Sequence, residues 1–153
     1  MDEIDRQILE GLQQDALLTL DALGNRVGLS STPCWRRVQR LEAAGVIQRR
    51  VALLDPEKLN LPLTAFVAIR TNHHEPEWLA RFARAVVDIP EIVEFYRMSG
   101  EVDYLLRVVL PDISAYDRVY KRLIGAVELY DVSTSFSMER IKYTTALPVN
   151  YAT

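Results

Sequence analysis

Between residues 31 and 50 the chain carries five arginines, Arg36, Arg37, Arg40, Arg49 and Arg50, against one acidic residue, Glu42. That leaves a local charge of +4 in a chain whose net charge is −3. Guanidinium groups gathered in this way bind polyanions, because each neutralises a phosphate and can also bridge O6 and N7 of guanine. The other residues able to do chemistry are sparse. Cys34 is the only cysteine, and His73 and His74 are the only histidines. A lone thiol excludes an intrachain disulfide and a thiolate-rich metal site. The two histidines sit in the polar stretch "TNHHEPEW" with Glu75 and Glu77, which reads as a solvated loop. No catalytic constellation, metal site or cofactor is expected, and a metabolic enzyme fits poorly.

The elements that must position the arginines are short helices. Asp2 can cap a first helix with the stripe Ile4, Ile8, Leu9 and Leu12. Thr19 can cap a second, with Leu20, Leu23 and Val27 inward and Gly28 ending it in a tight turn. Ser30 or Ser31 can cap a third, with Pro33 in its first turn, where a missing N–H costs nothing. Gly45 closes that helix. Gly24 costs its helix roughly 1 kcal/mol relative to Ala, which close approach of the third helix would offset. Two short helices joined by a glycine-containing turn form a helix-turn-helix.

At 100° per residue Cys34, Val38 and Leu41 align as the buried stripe of the third helix. Cys34 is therefore expected to pack as a small hydrophobe. Thr32, Arg36, Gln39 and Arg40 fall on the opposite face, with Ser31 at its start and Trp35 on one flank. Arg37 lies nearer the core edge, where an acidic neighbour can pair with it. Two readings of the basic face stand side by side. It is a major-groove reader with Arg49 and Arg50 against phosphates, or it is simply a solvated charged face.

The rest of the chain changes character. "VIQRRVALL" reads as a strand and "DPEKLNLP" as a turn-rich boundary, so residues 51–62 form a connecting strand and linker. From Leu63 the pattern alternates: "LTAFVAIRT" as a strand, then a helix with Leu79, Phe82, Val86 and Ile89 inward. "IVEFYRMS" and "DYLLRVVL" are two strands joined at Gly100. A helix with Ile113, Tyr116, Tyr120, Leu123 and Val127 inward follows, then a last strand in "DVSTSFSMERIKY". The expected class is α+β: a helix-turn-helix domain over residues 1–50 and a ferredoxin-like βαββαβ domain over residues 63–153. Two helices cover one sheet face and leave the other for a partner. With 49% hydrophobic and 25% charged residues the chain is expected to be a soluble globular protein. No apolar run approaches a membrane span, and "MDEIDRQ" is acidic rather than signal-like, so a cytoplasmic location is expected.

The stretches "DEIDRQILEGLQQDA", "LGNRVGLSSTPCWRRVQRLEAAGVI", "LLDPEKLNL", "MSGEVDYLLRV" and "TSFSMERIKYTTALP" together resemble the leucine-responsive regulator/asparagine regulator (Lrp/AsnC) family of transcription factors, in order along essentially the whole chain. "TPCWRRVQRLE", "VALLDPEKLNLPLTAFVAIRT" and the His-His pair look like its subgroup of cysteine-responsive activators of cysteine detoxification. The resemblance implies a regulator that binds double-stranded DNA, responds to a small amino-acid effector (cysteine first among them), and pairs through its C-terminal sheets into a homodimer that assembles to an octamer. It places the effector near "SGEVDY", where Gly100 brings backbone N–H groups to a ligand carboxylate and Asp103 accepts from a ligand ammonium, with Met98 and Tyr104 flanking. The last strand lies beside that pocket in the family. Val132, Thr134, Phe136 and Met138 point one way and Ser133, Ser135 and Ser137 the other, so either set can contribute. The bare residue reading of Gly100 and Asp103 is a plain hairpin turn. A DNA-compacting protein with little sequence preference would share the basic helix and the oligomer, but would lack an effector response.

Overall fold

The structure, a computed structural model, describes residues 1–152. The chain divides into two compact units. One is Met1–Leu53 together with the segment from Ile141 on, and the other is Leu54–Arg140. The segment from Ile141 on therefore groups with the N-terminal helices.

The first unit is three helices: α1 (Glu3–Gln14), α2 (Leu20–Val27) and α3 (Ser31–Ala43). Asp2 caps α1 through a capping box, its side chain accepting from Asp5 N while the Asp5 side chain accepts from Asp2 N. Thr19 caps α2 by accepting from Ala22 N, and Gly28 ends it in the left-handed region at φ 71°. Ser30 occupies the N-cap position of α3, but its side chain makes no capping hydrogen bond. Gly24 is needed for a close approach, though not to the body of α3. A Cβ there would lie 2.5 Å from the Leu29 carbonyl, in the backbone that leads into α3. Ile8, Leu23, Val27, Cys34, Val38 and Leu41 form the core, with Val149 from the returning segment packed against it. Gln13 exchanges two hydrogen bonds with the Leu147 backbone, at 3.0 and 2.6 Å, and Arg6 donates to the Ala152 carbonyl at 3.0 Å.

The second unit runs β1 (Leu63–Arg70), α4 (Pro76–Val87), β2 (Ile92–Arg97), β3 (Tyr104–Leu110), α5 (Ile113–Ala126) and β4 (Asp131–Phe136). The strands form one antiparallel sheet in the order β2-β3-β1-β4, the arrangement of a βαββαβ domain. Ala65, Val67 and Ile69 of β1 and Leu106, Val108 and Leu110 of β3 are fully buried against α4 and α5. Phe82 sits among the rings of Trp78, Phe95 and Tyr104 at centroid distances of 5.1, 5.2 and 5.5 Å. Truncating such a ring to Ala costs about 3–5 kcal/mol.

Two sequence expectations are corrected here. No strand forms in "VIQRRVALL": residues 46–54 join no strand among the described residues, and Val46, Val51, Leu53 and Leu54 are exposed. The buried face of α5 is Ala115, Val119 and Leu123, while Ile113 is exposed. Asp112 caps this helix by accepting from Ala115 N, so Ile113 lies in the first turn and projects off its end.

Candidate functional site

The exposed face of α3 is built from its register. Once Cys34, Val38 and Leu41 are inward, Thr32, Trp35, Arg36, Gln39 and Arg40 must face out, and each does. Cys34 is fully buried, and that burial pushes its thiol above the ordinary range. A thiol held in this way packs as a small hydrophobe.

The outward residues differ in what already holds them. Arg36 and Arg49 are exposed and have no ion-pair partner among the described residues. Gln39 donates to Glu42 at 2.9 Å, and Arg50 pairs with the other oxygen of Glu42 at 2.7 Å. Surface pairs of that kind are worth about 0–1 kcal/mol and yield readily to a better partner. The Ser31 hydroxyl hydrogen-bonds the Asp21 carboxylate, tying the start of α3 to α2. Arg37 pairs with Asp2 at 2.6 Å and with Asp5 at 2.8 Å, as its place near the core edge suggested. That guanidinium holds the Asp2 carboxyl below the usual carboxylate range, and the acids in turn raise Arg37. Arg40 also reaches Asp5, at 2.7 Å, while most of its side chain stays exposed. Asp5 itself is buried. The sequence reading missed this acid, since its partners lie more than thirty positions away and no local spacing announces them.

The residues assigned to an effector are not gathered in one place within a single chain. Gly100 adopts φ 108°, in the turn between β2 and β3. Asp103 is bonded three ways: its N donates to Ile69 O at 3.0 Å, its O accepts from Met98 N at 2.8 Å, and its carboxylate accepts from Thr71 N at 2.8 Å. It therefore fastens the ends of β1, β2 and β3 together. Met98 and Glu101 beside it are exposed. Tyr104 is buried on the helix side of the sheet, against Trp78, Phe82 and Phe95.

Along β4 the alternation holds. Val132 and Thr134 face the helices, and the Thr134 hydroxyl hydrogen-bonds that of Tyr116. Ser133 and Ser135 are exposed on the other face, in register with Ala68 and Phe66. Ser137 lies at the far end, where its N donates to Thr64 O at 2.8 Å. It lines a cavity of about 360 Å³ with Asp55, Leu61, Thr64 and Met138. The Gly100–Asp103 turn meets β1 at its Ile69 end, so Ser137 is separated from it by the length of that strand. Thr71, 5% exposed, is the buried polar neighbour of Asp103 that sequence reasoning missed.

The sheet face away from α4 and α5 carries Phe66, Ala68, Leu105, Val109 and Tyr96 around an ion pair of Arg107 with Glu94 at 2.6 Å. Tyr96 also donates to Glu94 at 3.0 Å. Arg107 holds the Glu94 carboxyl below its ordinary range. Among the described residues no group of three metal-ligating side chains occurs, and no helix is long and apolar enough to cross a membrane.

Two family models match the chain, the AsnC-type helix-turn-helix domain over residues 1–42 and the Lrp/AsnC ligand binding domain over residues 64–147. A DNA-binding transcriptional activator of Escherichia coli, DecR, is 54% identical over 150 residues, covering 97% of this chain and 99% of its own. The crystal structure of an AsnC family transcriptional regulator from Agrobacterium tumefaciens superposes with a TM-score of 0.96 at 60% identity, over 100% of both chains. A transcriptional regulator from Neisseria meningitidis, solved as a complex with L-Met, superposes with a TM-score of 0.93 at 37% identity, over 98% of this chain and 97% of that one.

Proposed function

The chain belongs to the Lrp/AsnC family, and from that premise we propose how its two units carry out regulation. It is a sequence-specific DNA-binding transcription regulator with an amino-acid-responsive ligand-binding domain. In our reading α3 enters the major groove. Thr32, Trp35, Arg36 and Gln39 meet base edges, Arg40 contributes its exposed edge, and Arg49 and Arg50 meet phosphates. The observation that carries this is the division of labour among the arginines. Among the described residues Arg36 and Arg49 have no ion-pair partner, while Arg37 is paired inward.

The effector in this reading is a free L-amino acid held at the Gly100–Asp103 turn. Backbone N–H groups near Gly100 meet its carboxylate, and Asp103 meets its ammonium. Cysteine is the first candidate, and methionine is the natural comparison, because the Neisseria relative was solved with it. Because Ser133 and Ser135 lie on the open sheet face and Ser137 at the strand's far end, these serines complete the site only when a second copy covers that face. The apolar residues of the open face fit a homodimer, which assembles further to an octamer. The site of action is the cytoplasm, where DNA and free amino acids meet.

Calorimetric titration of the protein with L-cysteine under reducing conditions, and with L-methionine, tests the effector. One of them should bind saturably, and Asp103→Asn should weaken that binding at least tenfold while leaving the unfolding midpoint within a few degrees, because Asn still accepts from Thr71 N. Undiminished binding to Asp103→Asn would move the pocket elsewhere.

A further inference from the structure

A buried carboxylate between arginines of a DNA-facing helix has two opposite consequences. It neutralises charge that would otherwise attract phosphate, and it fixes the groups it touches. Asp5 is 2% exposed and accepts from both Arg37, at 2.8 Å, and Arg40, at 2.7 Å. Asp2, at the cap of the same helix, takes Arg37 a second time at 2.6 Å. Arg37 is only 24% exposed and has both acids on its guanidinium, so little of its charge is left for a phosphate. Arg40 differs, because it is 62% exposed and touches Asp5 through one nitrogen, Nη2. The remaining N–H groups of its planar fork stay free to donate outward, from a guanidinium anchored at one corner.

Fold stability alone is a weak reason for such a cluster. Buried ion pairs and triads are often replaceable by apolar residues at no loss of stability, because the desolvation cost offsets the attraction. The cluster lies under the helix that reads DNA, and α1 otherwise packs its apolar stripe with no need of a charge there.

We propose that Asp5, assisted by Asp2, is a specificity-determining positioning residue that withholds Arg37 from phosphate contact and presents Arg40 to the groove in a fixed orientation. The proposal rests on α3 being the reading helix. Non-specific binding draws almost wholly on phosphate neutralisation, whereas specific binding also draws on oriented donors. Removing the acids therefore strengthens the first and blurs the second.

The test uses Asp5→Asn and the double variant Asp2→Asn/Asp5→Asn in the full chain. Asn is as good an N-cap as Asp, so α1 stays capped when Asp2→Asn is combined with Asp5→Asn, and thermal unfolding of both proteins checks that they are folded. Binding is measured on a fragment from upstream of the protein's own gene and on a scrambled duplex of equal length, across a series of salt concentrations. On the scrambled duplex, Asp5→Asn, which frees Arg40 and leaves Arg37 on Asp2 alone, should steepen the slope of log K against log salt by about 0.9 per bound domain, and the double variant Asp2→Asn/Asp5→Asn, which frees Arg37 as well, by about 1.8. The ratio of specific to non-specific affinity should fall several-fold. An unchanged slope and ratio in folded Asp5→Asn and in the folded double variant would overturn the proposal and leave the cluster a purely structural one. The scrambled-duplex slope is read whether or not the upstream fragment is preferred. A wild-type protein that shows no preference therefore contradicts the reading-helix assignment, while the slope still decides whether the acids mask Arg37.

Discussion

Arg36 and Arg37 are adjacent in sequence and unlike in chemistry. One hundred degrees of helix separates a guanidinium in solvent from one locked to Asp2 and Asp5. Replacing them should therefore fail in different ways. Arg36→Ala should weaken binding to a specific site by about 1–3 kcal/mol, the worth of a good base contact, with an unchanged melting curve. Arg37→Ala strips the buried Asp5 of one of its two cationic partners. It should lower stability by roughly 1–3 kcal/mol, the usual cost of a buried acceptor losing its donor. Thermal unfolding and anisotropy on the same two proteins separate these outcomes. Equal melting curves would show that Asp5 does not depend on Arg37. The wheel could assign Arg37 to the core edge from sequence alone. It could not reveal that Arg40 shares the same acid, because that contact depends on how α1 crosses α3.

At the scale of elements, what was legible had local causes. The caps at Asp2 and Thr19 and the left-handed Gly28 are each determined by a handful of neighbouring residues, and each helix starts or stops accordingly. What was not legible had distant causes. "VIQRRVALL" has the composition of a strand but finds no partner strand among the described residues, and composition cannot create one. The sequence reading sets Ile113 inward together with Tyr116 and Tyr120. Tyr116 is only half buried, and the small Ala115 and the branched Val119 make the closest approach. Tyr104 likewise followed its motif in the sequence reading, but its side chain points away from the turn into the aromatic cluster.

Two predictions belong at the element scale. Gly24→Ala gains helix propensity of about 1 kcal/mol, yet its Cβ would meet the Leu29 carbonyl at 2.5 Å. The backbone cannot yield cheaply, so the net result should be a loss on the order of 1–3 kcal/mol, measured by denaturant unfolding. A net gain would show that the α2–α3 turn can open. On the sheet, Arg107 lowers the folded-state pKa of Glu94. A depressed carboxylate contributes stability that is fully present above its unfolded value, about 4.3, and is lost as pH falls through the folded value. Glu94→Gln should therefore flatten the acid limb of the stability profile below about pH 5 and leave the neutral region little changed in slope. An identical acid limb would mean that the ion pair carries no pH-dependent stability.

At the scale of the whole molecule, the chain leaves the helical unit once, builds the sheet, and returns to α1 after Arg140. The helical unit is thus joined to the sheet unit at both ends of the latter. A ligand that prefers one arrangement shifts the population toward it, and DNA affinity follows by linkage. Couplings of this kind amount to about 1–3 kcal/mol, or roughly 5- to 150-fold in affinity. Two-fold pairing through the open sheet faces would set the helices on half-sites about one helical turn, or a multiple of it, apart.

The most direct measurement is fluorescence anisotropy of the purified protein with a labelled fragment from upstream of its own gene, at near-physiological salt and with excess unrelated DNA, with and without L-cysteine. The account predicts binding that survives the competitor and shifts at least fivefold when cysteine is added. Binding that the unrelated DNA abolishes, with no response to cysteine or methionine, would contradict it and favour a protein that compacts DNA without reading it.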